Sequence, residues 1–334
     1  MNMLKFQKNL FLLLLFVFSS GYALSQDISY SQFYANPLYL NPAMAGTEYC
    51  PRIQVNYRNQ WPSLPSAFVS YSASYDQYVD FIHGGVGVIV NYDKAGEAGI
   101  NNVSVNAMYA YQLNISDKVT SNFALQAGYG QRNTNWNDLI FGSRIDPNTG
   151  NTLPPNPQPA NFNDNLSYLD FAGGILIGID EKYFVGGAAH HVTQPDISFF
   201  NESDNLLHMK ITAHAGANFD LGGGYSRSGT SGLSISPNIL YQQQDQFRHL
   251  NLGAYFTASY FTAGLWYSHA FENPDAVILS IGLQYDKLRF GYSFDFPISE
   301  LSIASGGAHE ISLAWIFDCN KKSKRRRAIK CPSF

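Results

Sequence analysis

The chain has 334 residues, of which 14% are charged and 15% are aromatic. That charged fraction is well below the roughly 25% of an ordinary soluble domain. A mean hydropathy of -0.16 excludes a bundle of membrane helices, and no run of about 20 apolar residues follows the N-terminal segment. The length accommodates one large β domain or two ordinary domains.

Residues 1–25 are typical of a secretory signal peptide. Two lysines precede the apolar stretch Leu10–Phe18, and Ala23-Leu24-Ser25 fits the small-x-small rule for cleavage. We therefore expect cleavage before Gln26 and export of the mature chain. Export excludes nucleic acid as a partner in practice.

Residues 26–50 do not alternate between apolar and polar side chains. Two Asn-Pro pairs, Asn36-Pro37 and Asn41-Pro42, mark turns. The aromatic residues around these pairs are too many for a disordered linker. We therefore expect an ordered, irregular segment that packs against or inside the domain that follows.

Residues 51–318 are dominated by segments in which apolar and polar side chains alternate. Val103, Val105 and Tyr109, for example, fall on one side of an extended strand, and polar or small residues fall on the other. Each segment approaches the roughly 9–11 residues that a tilted strand needs to cross a membrane. Glycines within the segments make room where side chains face a crowded lumen. The predicted strands are Arg52–Arg58, Ala67–Gln77, His83–Tyr92, Asn102–Leu113, Thr120–Gln131, Tyr168–Ile179, Tyr183–His191, His208–Leu221, Gly232–Gln242, His249–Ala258, Phe261–His269, Ala276–Tyr285, Leu288–Asp295 and His309–Phe317.

The connections distinguish a membrane barrel from a soluble sandwich. Connections after even-numbered strands are tight, such as Asn114–Val119 and Asp180–Lys182, with the glycine-rich Gly222–Ser231 as an exception. Those after odd-numbered strands are mostly longer, as in Arg132–Ser167 and Val192–Leu207. This asymmetry is typical of outer-membrane barrels. We predict an all-β transmembrane barrel of about 14 antiparallel strands, in the outer membrane of a Gram-negative bacterium, with both termini in the periplasm.

A tail, residues 319–334, follows the last predicted strand and is strongly basic. Two interpretations remain open: a solvated or lipid-associated charge run, and a docking tail for a periplasmic partner. Its basic side chains, called the basic tail below, are Lys321, Lys322, Lys324, Arg325, Arg326, Arg327 and Lys330.

The three cysteines are Cys50, Cys319 and Cys331. Cys319 and Cys331 share the short tail, and in an oxidising compartment they can pair with each other and leave Cys50 free. The alternative is that the cysteines are unpaired.

Distinctive motifs lie near both ends of the chain: the two Asn-Pro pairs, Ala45-Gly46 and Tyr57-Arg58-Asn59-Gln60-Trp61 near the start, and Cys331-Pro332-Ser333-Phe334 at the end. The first group resembles the opening signature of the PorP/SprF family of outer-membrane proteins in the type IX secretion system, and the ending matches that family's usual Cys-Pro-x-Phe. The stretch Gly306–Leu313 resembles its final strand. We interpret the signature as mainly structural: Arg58 can bond lumen carboxylates, and Trp61 suits a membrane interface or a packed plug. The signature residues are Asn36, Pro37, Asn41, Pro42, Gly46, Tyr57, Arg58, Gln60 and Trp61.

The resemblance implies a non-enzymatic component that supports export and surface attachment of large adhesin or gliding-type proteins. It implies periplasmic ring components and an exported surface adhesin as partners, beside outer-membrane lipid. The alternative function for such a barrel is a porin-like channel for small solutes or hydrophobic molecules.

The sequence predicts no catalytic residue, cofactor or metal site. His190 and His191 are neighbours on a predicted strand, so we expect their side chains to face opposite ways and not to share a metal. The run Asp146–Asn151 spaces oxygen ligands as calcium loops do, but it lacks the twelfth-position glutamate and flanking helices. We interpret it as a turn.

Overall fold

The structure is a computed structural model. It describes residues 27–48, 50–64, 67–96, 99–154, 156–200, 205–221, 232–271, 273–298, 305–319 and 329. The predicted signal peptide and the basic tail lie outside these residues.

Antiparallel strands make up most of the described chain, in the places that the alternation predicts. Their bounds are β1 Arg52–Gln60, β2 Phe68–Val79, β3 Gly84–Ala95, β4 Ile100–Asn114, β5 Val119–Asn133, β6 Asn165–Ile179, β7 Tyr183–His190, β8 Lys210–Ala217, β9 Phe219–Asp220, β10 Leu233–Gln244, β11 Phe247–Ala258, β12 Phe261–Ala270, β13 Asn273–Tyr285, β14 Leu288–Pro297 and β15 Ala308–Ile316.

The strands form one closed barrel. Neighbours in sequence pair with each other, and the circle closes where β1 pairs with β15, with Arg52 opposite Ile316. The segments β8 and β9 pair with successive parts of β10, so they are one strand interrupted at Asn218. The barrel therefore has fourteen strands, as predicted.

Apolar side chains face outward and polar or small ones face the lumen. On β13, Leu279 and Ile281 are 47% and 61% exposed, whereas Ser280 between them is 5% exposed. Because successive side chains of a strand point to opposite faces, this inverted pattern suits a barrel with lipid outside. The predicted faces are confirmed.

The two ends of the barrel differ in their connections. At one end, called the short-turn end, residues 80–83, 115–118, 180–182, 259–260 and 286–287 join consecutive strands. The opposite end, called the long-loop end, carries residues 134–164 and 191–209. The predicted asymmetry is incomplete there, because β10 and β12 are also followed by tight turns: β11 begins at Phe247 and β13 at Asn273.

The N-terminal segment lies inside the barrel. It forms a 3-10 turn Phe33–Ala35, a short helix Pro37–Leu40 and a second 3-10 turn Pro42–Met44, all of them largely buried. Each proline lies at the start of its turn, where its missing N–H costs no hydrogen bond. Residues 27–48 are called the plug below. Among the described residues, no helix is long and apolar enough to span a membrane.

The cysteine pairing predicted from the sequence is wrong. Cys319 bonds Cys50, not Cys331, with the two Cα atoms 5.2 Å apart. The physical reason is barrel closure: because β1 and β15 are neighbours, the residues just before β1 and just after β15 lie side by side at the short-turn end. Cys331 lies outside the described residues.

Candidate functional site: the plugged lumen

Buried charges hold the plug across the seam where the barrel closes. Arg58 on β1 lies 2.9 Å from Asp295 on β14 and 3.4 Å from Glu310 on β15. The Ser31 hydroxyl donates to Asp295 at 2.6 Å, and the backbone N–H of Ser31 donates to Glu310 at 2.7 Å. The side-chain amide of Gln32 donates to the Glu310 carbonyl at 2.9 Å. The lumen carboxylates expected for Arg58 are therefore these two, and they bind the plug as well.

Asn41 fixes the middle of the plug to the opposite wall. Its side-chain Nδ2 donates to the Ile175 carbonyl at 3.0 Å and lies 3.1 Å from Nε2 of His214, while its Oδ1 accepts the Ala43 N–H at 2.9 Å. The wall residue here is Gly174, where an added Cβ would lie 2.2 Å from Oδ1 of Asn41. Asn36, in the first Asn-Pro pair, forms no comparable bond to the wall. It is buried, and its side-chain amide has no hydrogen-bond partner among the described residues.

Aromatic rings fill the lumen between the two polar contacts. Phe33 packs edge-on against Trp266 with ring centroids 5.0 Å apart, and Tyr34 packs against Phe184 at 5.7 Å. These rings belong to one buried apolar cluster that includes Leu38 and Met44 of the plug. The barrel thus has its apolar core in its lumen, around the plug.

The plug ends at the short-turn end in a tight contact with the wall. Gly46 adopts φ +68° and its N–H donates to Asp76 at 2.9 Å, while Asp76 also pairs with Arg52 at 2.9 Å. A Cβ on Gly85 of β3 would lie 2.0 Å from the Ala45 carbonyl oxygen. Position 85 therefore requires glycine, because the plug backbone at Ala45 directly contacts the β3 backbone there.

At the long-loop end the plug begins among charged side chains. Asp27 lies 2.8 Å from Nε2 of His191 and 3.7 Å from Lys210, and Nδ1 of His191 lies 2.9 Å from Asp170. Both termini are expected together at the short-turn end, but the described chain starts at the long-loop end, because the plug runs through the lumen before β1 begins.

The expectation that His190 and His191 face opposite ways is wrong. β7 ends at His190, and His191 adopts φ +55°, so the alternation stops there. Both imidazoles consequently line the same cavity. The left-handed backbone of His191 is not visible in a strand-like sequence pattern.

Cavities lie at both ends of the plug. A cavity of about 120 Å³, called the long-loop cavity, lies between the plug and the long loops and is lined on the loop side by Ile197 and Leu207. A wider vestibule of about 460 Å³ lies at the short-turn end and is lined by Glu48, Asp180 and Ile329 among others. Ile329 is buried there against Gly178, so this point of the C-terminal tail lies inside the barrel mouth.

The remaining signature residues lie in the plug turns, on β1 and directly after it. Pro37 and Pro42 begin their helical turns, and Tyr57 points outward with its ring 5.1 Å from that of Tyr71. Gln60 ends β1 between β2 and β15. Trp61 turns the chain with φ +59° and packs against Phe68 at 5.5 Å.

The segment Asp146–Asn151 is a turn, as interpreted from the sequence. The Asp146 carboxylate accepts bonds from the Asn148 N–H and the Thr149 hydroxyl, both at 2.8 Å. These bonds hold the pKa of Asp146 below its ordinary value. Within the described ranges, no group of three or more His, Cys, Asp or Glu residues is placed to hold a metal ion.

The fold and the filled lumen define the class of protein: a plugged β-barrel of the outer-membrane type. A family model described as "Type IX secretion system membrane protein PorP/SprF" matches residues 23–315. The chain belongs to this family.

Solved structures with a similar fold are distant in sequence. Omp33 of Acinetobacter baumannii is 12% identical with a TM-score of 0.42, over 81% of this chain and all of that one. The toluene transporter TodX of P. putida is 10% identical with a TM-score of 0.46, over 84% and 93%. A FadL homologue of Pseudomonas aeruginosa is 11% identical with a TM-score of 0.37, over 80% and 90%. Among curated proteins, none matches the chain.

Proposed function

We propose that this chain is a non-enzymatic outer-membrane component of the type IX secretion system that supports export and surface attachment of large adhesin or gliding-type proteins. Membership of the PorP/SprF family supports the secretion system. The filled lumen favours a scaffold over a porin-like channel for small solutes or hydrophobic molecules.

Successive residues of the plug contact strands on different sides of the barrel. Phe33 reaches Trp266 on β12, Leu38 packs over Gly87 on β3, and Asn41 bonds β6 and β7. The disulfide at Cys50 then ties the end of the plug to the last strand. A solute crossing this lumen would have to displace packed rings and buried hydrogen bonds, which is costly.

Conductance of the purified barrel in a planar bilayer tests the choice between scaffold and channel. We expect little current from the wild-type barrel, with an open porin reconstituted in the same way as the positive control. A steady ohmic current of porin size would contradict the scaffold.

We propose that the short-turn end faces the periplasm and the long-loop end faces outside the cell, as is usual in outer-membrane barrels. An epitope inserted at Thr149 should be labelled on intact cells, whereas one inserted at Glu181 should be labelled only after the outer membrane is permeabilised. The opposite labelling pattern would reverse the orientation.

The proposed partners are the periplasmic ring components, reached through the basic tail, and the exported adhesin. The tail continues from Cys319 at the short-turn end, and Ile329 returns to the vestibule at the same end. Replacing the basic residues of the tail by serine should leave a folded, heat-modifiable barrel but weaken co-purification of ring components and display of the adhesin. Unchanged display and co-purification would exclude the docking role.

A further inference from the structure

The outward face of the barrel wall carries an apolar groove, called the wall groove below. Ala73 on β2 lies directly between Val55 on β1 and Val90 on β3, and its short side chain leaves a depression of about 390 Å³. Ile311 and Leu313 of β15 extend the groove across the seam. The four larger side chains are each 40–41% exposed, so the groove opens toward the bilayer.

The width of the wall groove limits what can enter it. Val55 and Val90 belong to the strands on either side of Ala73, so their backbones lie two strand spacings apart, roughly 9–10 Å. An α-helix with its side chains is about 10–12 Å across, which is too wide to fit between them. A single hydrocarbon chain is thin enough, and it would contact the floor and both sides of the groove.

Three tyrosine rings lie at one end of the wall groove. Tyr57, Tyr71 and Tyr92 are each two residues nearer the long-loop end than the groove residue of the same strand. The Tyr71 ring lies between the other two, with centroid distances of 5.1 Å to Tyr57 and 6.0 Å to Tyr92. Aromatic girdles of membrane barrels lie at the interface with the headgroups. The groove therefore runs from the hydrocarbon to one membrane interface, as a lipid molecule does.

Two of these phenol groups are available to a headgroup. The Tyr92 hydroxyl donates to Asn101 at 2.8 Å. The hydroxyls of Tyr57 and Tyr71 form no hydrogen bond with any residue that the structure describes. Each can donate one hydrogen bond, and the ester and phosphate oxygens of a lipid are acceptors.

We propose that the wall groove binds one acyl chain of a membrane lipid from the leaflet at the long-loop end, with oxygens of its headgroup region accepting hydrogen bonds from Tyr57 and Tyr71. This inference rests on the barrel lying in a membrane and not on its role in secretion. A chain that moves from the bilayer into the groove gains no hydrophobic free energy, because lipid tails are themselves apolar. The preference comes from close packing in the groove and from the phenol hydrogen bonds.

A photoreactive lipid tests the proposal. The purified barrel is reconstituted in phosphatidylcholine vesicles in which a small fraction of the lipid carries a diazirine on one acyl chain. After irradiation, peptide mass spectrometry compares the labelling of β2 with that of β12, a strand away from the groove. We expect about fivefold more label on β2, the ratio that one ordinary hydrogen bond supplies.

Three variants sharpen the test. Ala73→Trp fills the groove and should lower the labelling of β2 to that of β12. Ala263→Trp is the matched control, because Ala263 is an outward alanine between the larger side chains of Phe256 and Ile281. It should leave the excess on β2 unchanged. Tyr57→Phe combined with Tyr71→Phe keeps the groove open but removes both donors, so it should lower the excess. Heat-modifiability shows that each variant is folded.

Equal labelling of β2 and β12 in the wild type, or an excess that survives Ala73→Trp, would overturn the proposal. So would cross-links from β2 to a second copy of the chain in place of lipid, because the groove would then be an interface between barrels. An excess that is unchanged in the double phenylalanine variant would overturn the assignment of the headgroup to the two phenols. None of these outcomes concerns adhesin display, which tests the proposed function separately.

Discussion

The inner and outer faces of the same strands are stabilised by different means. On the inner face, polar side chains such as Glu310 and His214 form buried hydrogen bonds with the plug. The outer face exposes residues such as Ile281, which only a surrounding bilayer can cover. A single alternating sequence therefore carries two independent sets of interactions, and a substitution should disturb only the set to which its side chain points.

The largest expected effect follows from removing the cation of the seam. Arg58→Met leaves Asp295 and Glu310 buried without their counter-ion, which should cost about 3–5 kcal/mol of folding free energy. Arg248→Met, at an exposed arginine on β11, is the matched control. Denaturant unfolding in lipid vesicles, monitored by heat-modifiability on gels, gives the unfolding midpoint of each variant. Equal midpoints for Arg58→Met and Arg248→Met would contradict the buried network.

A charge introduced on the lipid face should destabilise the barrel somewhat less than the loss of Arg58. Ile281→Arg is expected to destabilise the barrel by about 2–4 kcal/mol, because the guanidinium would lie in hydrocarbon. Ser280 faces inward but is tightly packed, since its Oγ lies 2.2 Å from where a Cβ on Gly264 would be.

The roomier inward control is Ser234, which lines the vestibule. Ser234→Arg should be close to neutral in the same unfolding titration. Similar losses for Ile281→Arg and Ser234→Arg would refute the assignment of the two faces.

A smaller effect is expected where plug and wall backbones touch. Gly85→Ala places a methyl group against the Ala45 carbonyl and should cost about 1–3 kcal/mol through overpacking. Gly187→Ala is the control, because its Cβ would meet only the Thr212 oxygen at an ordinary 3.5 Å. If both alanines leave the unfolding midpoint unchanged, the plug does not depend on this close approach.

The smallest effect concerns the long loop of residues 134–164, which belongs to neither face of the barrel. Asp146→Asn should leave barrel unfolding unchanged but increase proteolytic nicking within residues 134–164, because the turn loses charge-assisted bonds. Since the pKa of Asp146 is lowered, the turn should keep its full stability above the ordinary pKa of an aspartate and lose it as pH falls from there through the lowered value. Asp117→Asn, in a short turn, should show no such nicking.

The strands were predictable because alternation is a local property that each segment carries by itself. The ordered plug was predictable from the aromatic residues around its two Asn-Pro pairs. Contacts between distant parts of the chain were not: nothing local in the sequence connects Ser31 with Asp295 and Glu310, or Asn41 with His214.

The disulfide could have been inferred from topology. An even number of strands in a closed barrel places the residues before the first strand and after the last strand together, which favours Cys50 with Cys319 over a pair that is close in sequence. The inward turn of His191 could not be inferred, because it depends on a left-handed backbone that the pattern does not encode.

The Cys50–Cys319 bond also makes the barrel a covalent hoop. The backbone from one cysteine to the other runs once around the wall, and the sulfur bridge closes that circuit beside the pairing of β1 with β15. If those two strands part, the hydrogen-bonded cylinder opens but neither strand end can drift away. The boiled chain should therefore run faster on a gel without reductant than with it, because a hoop is more compact than a linear coil.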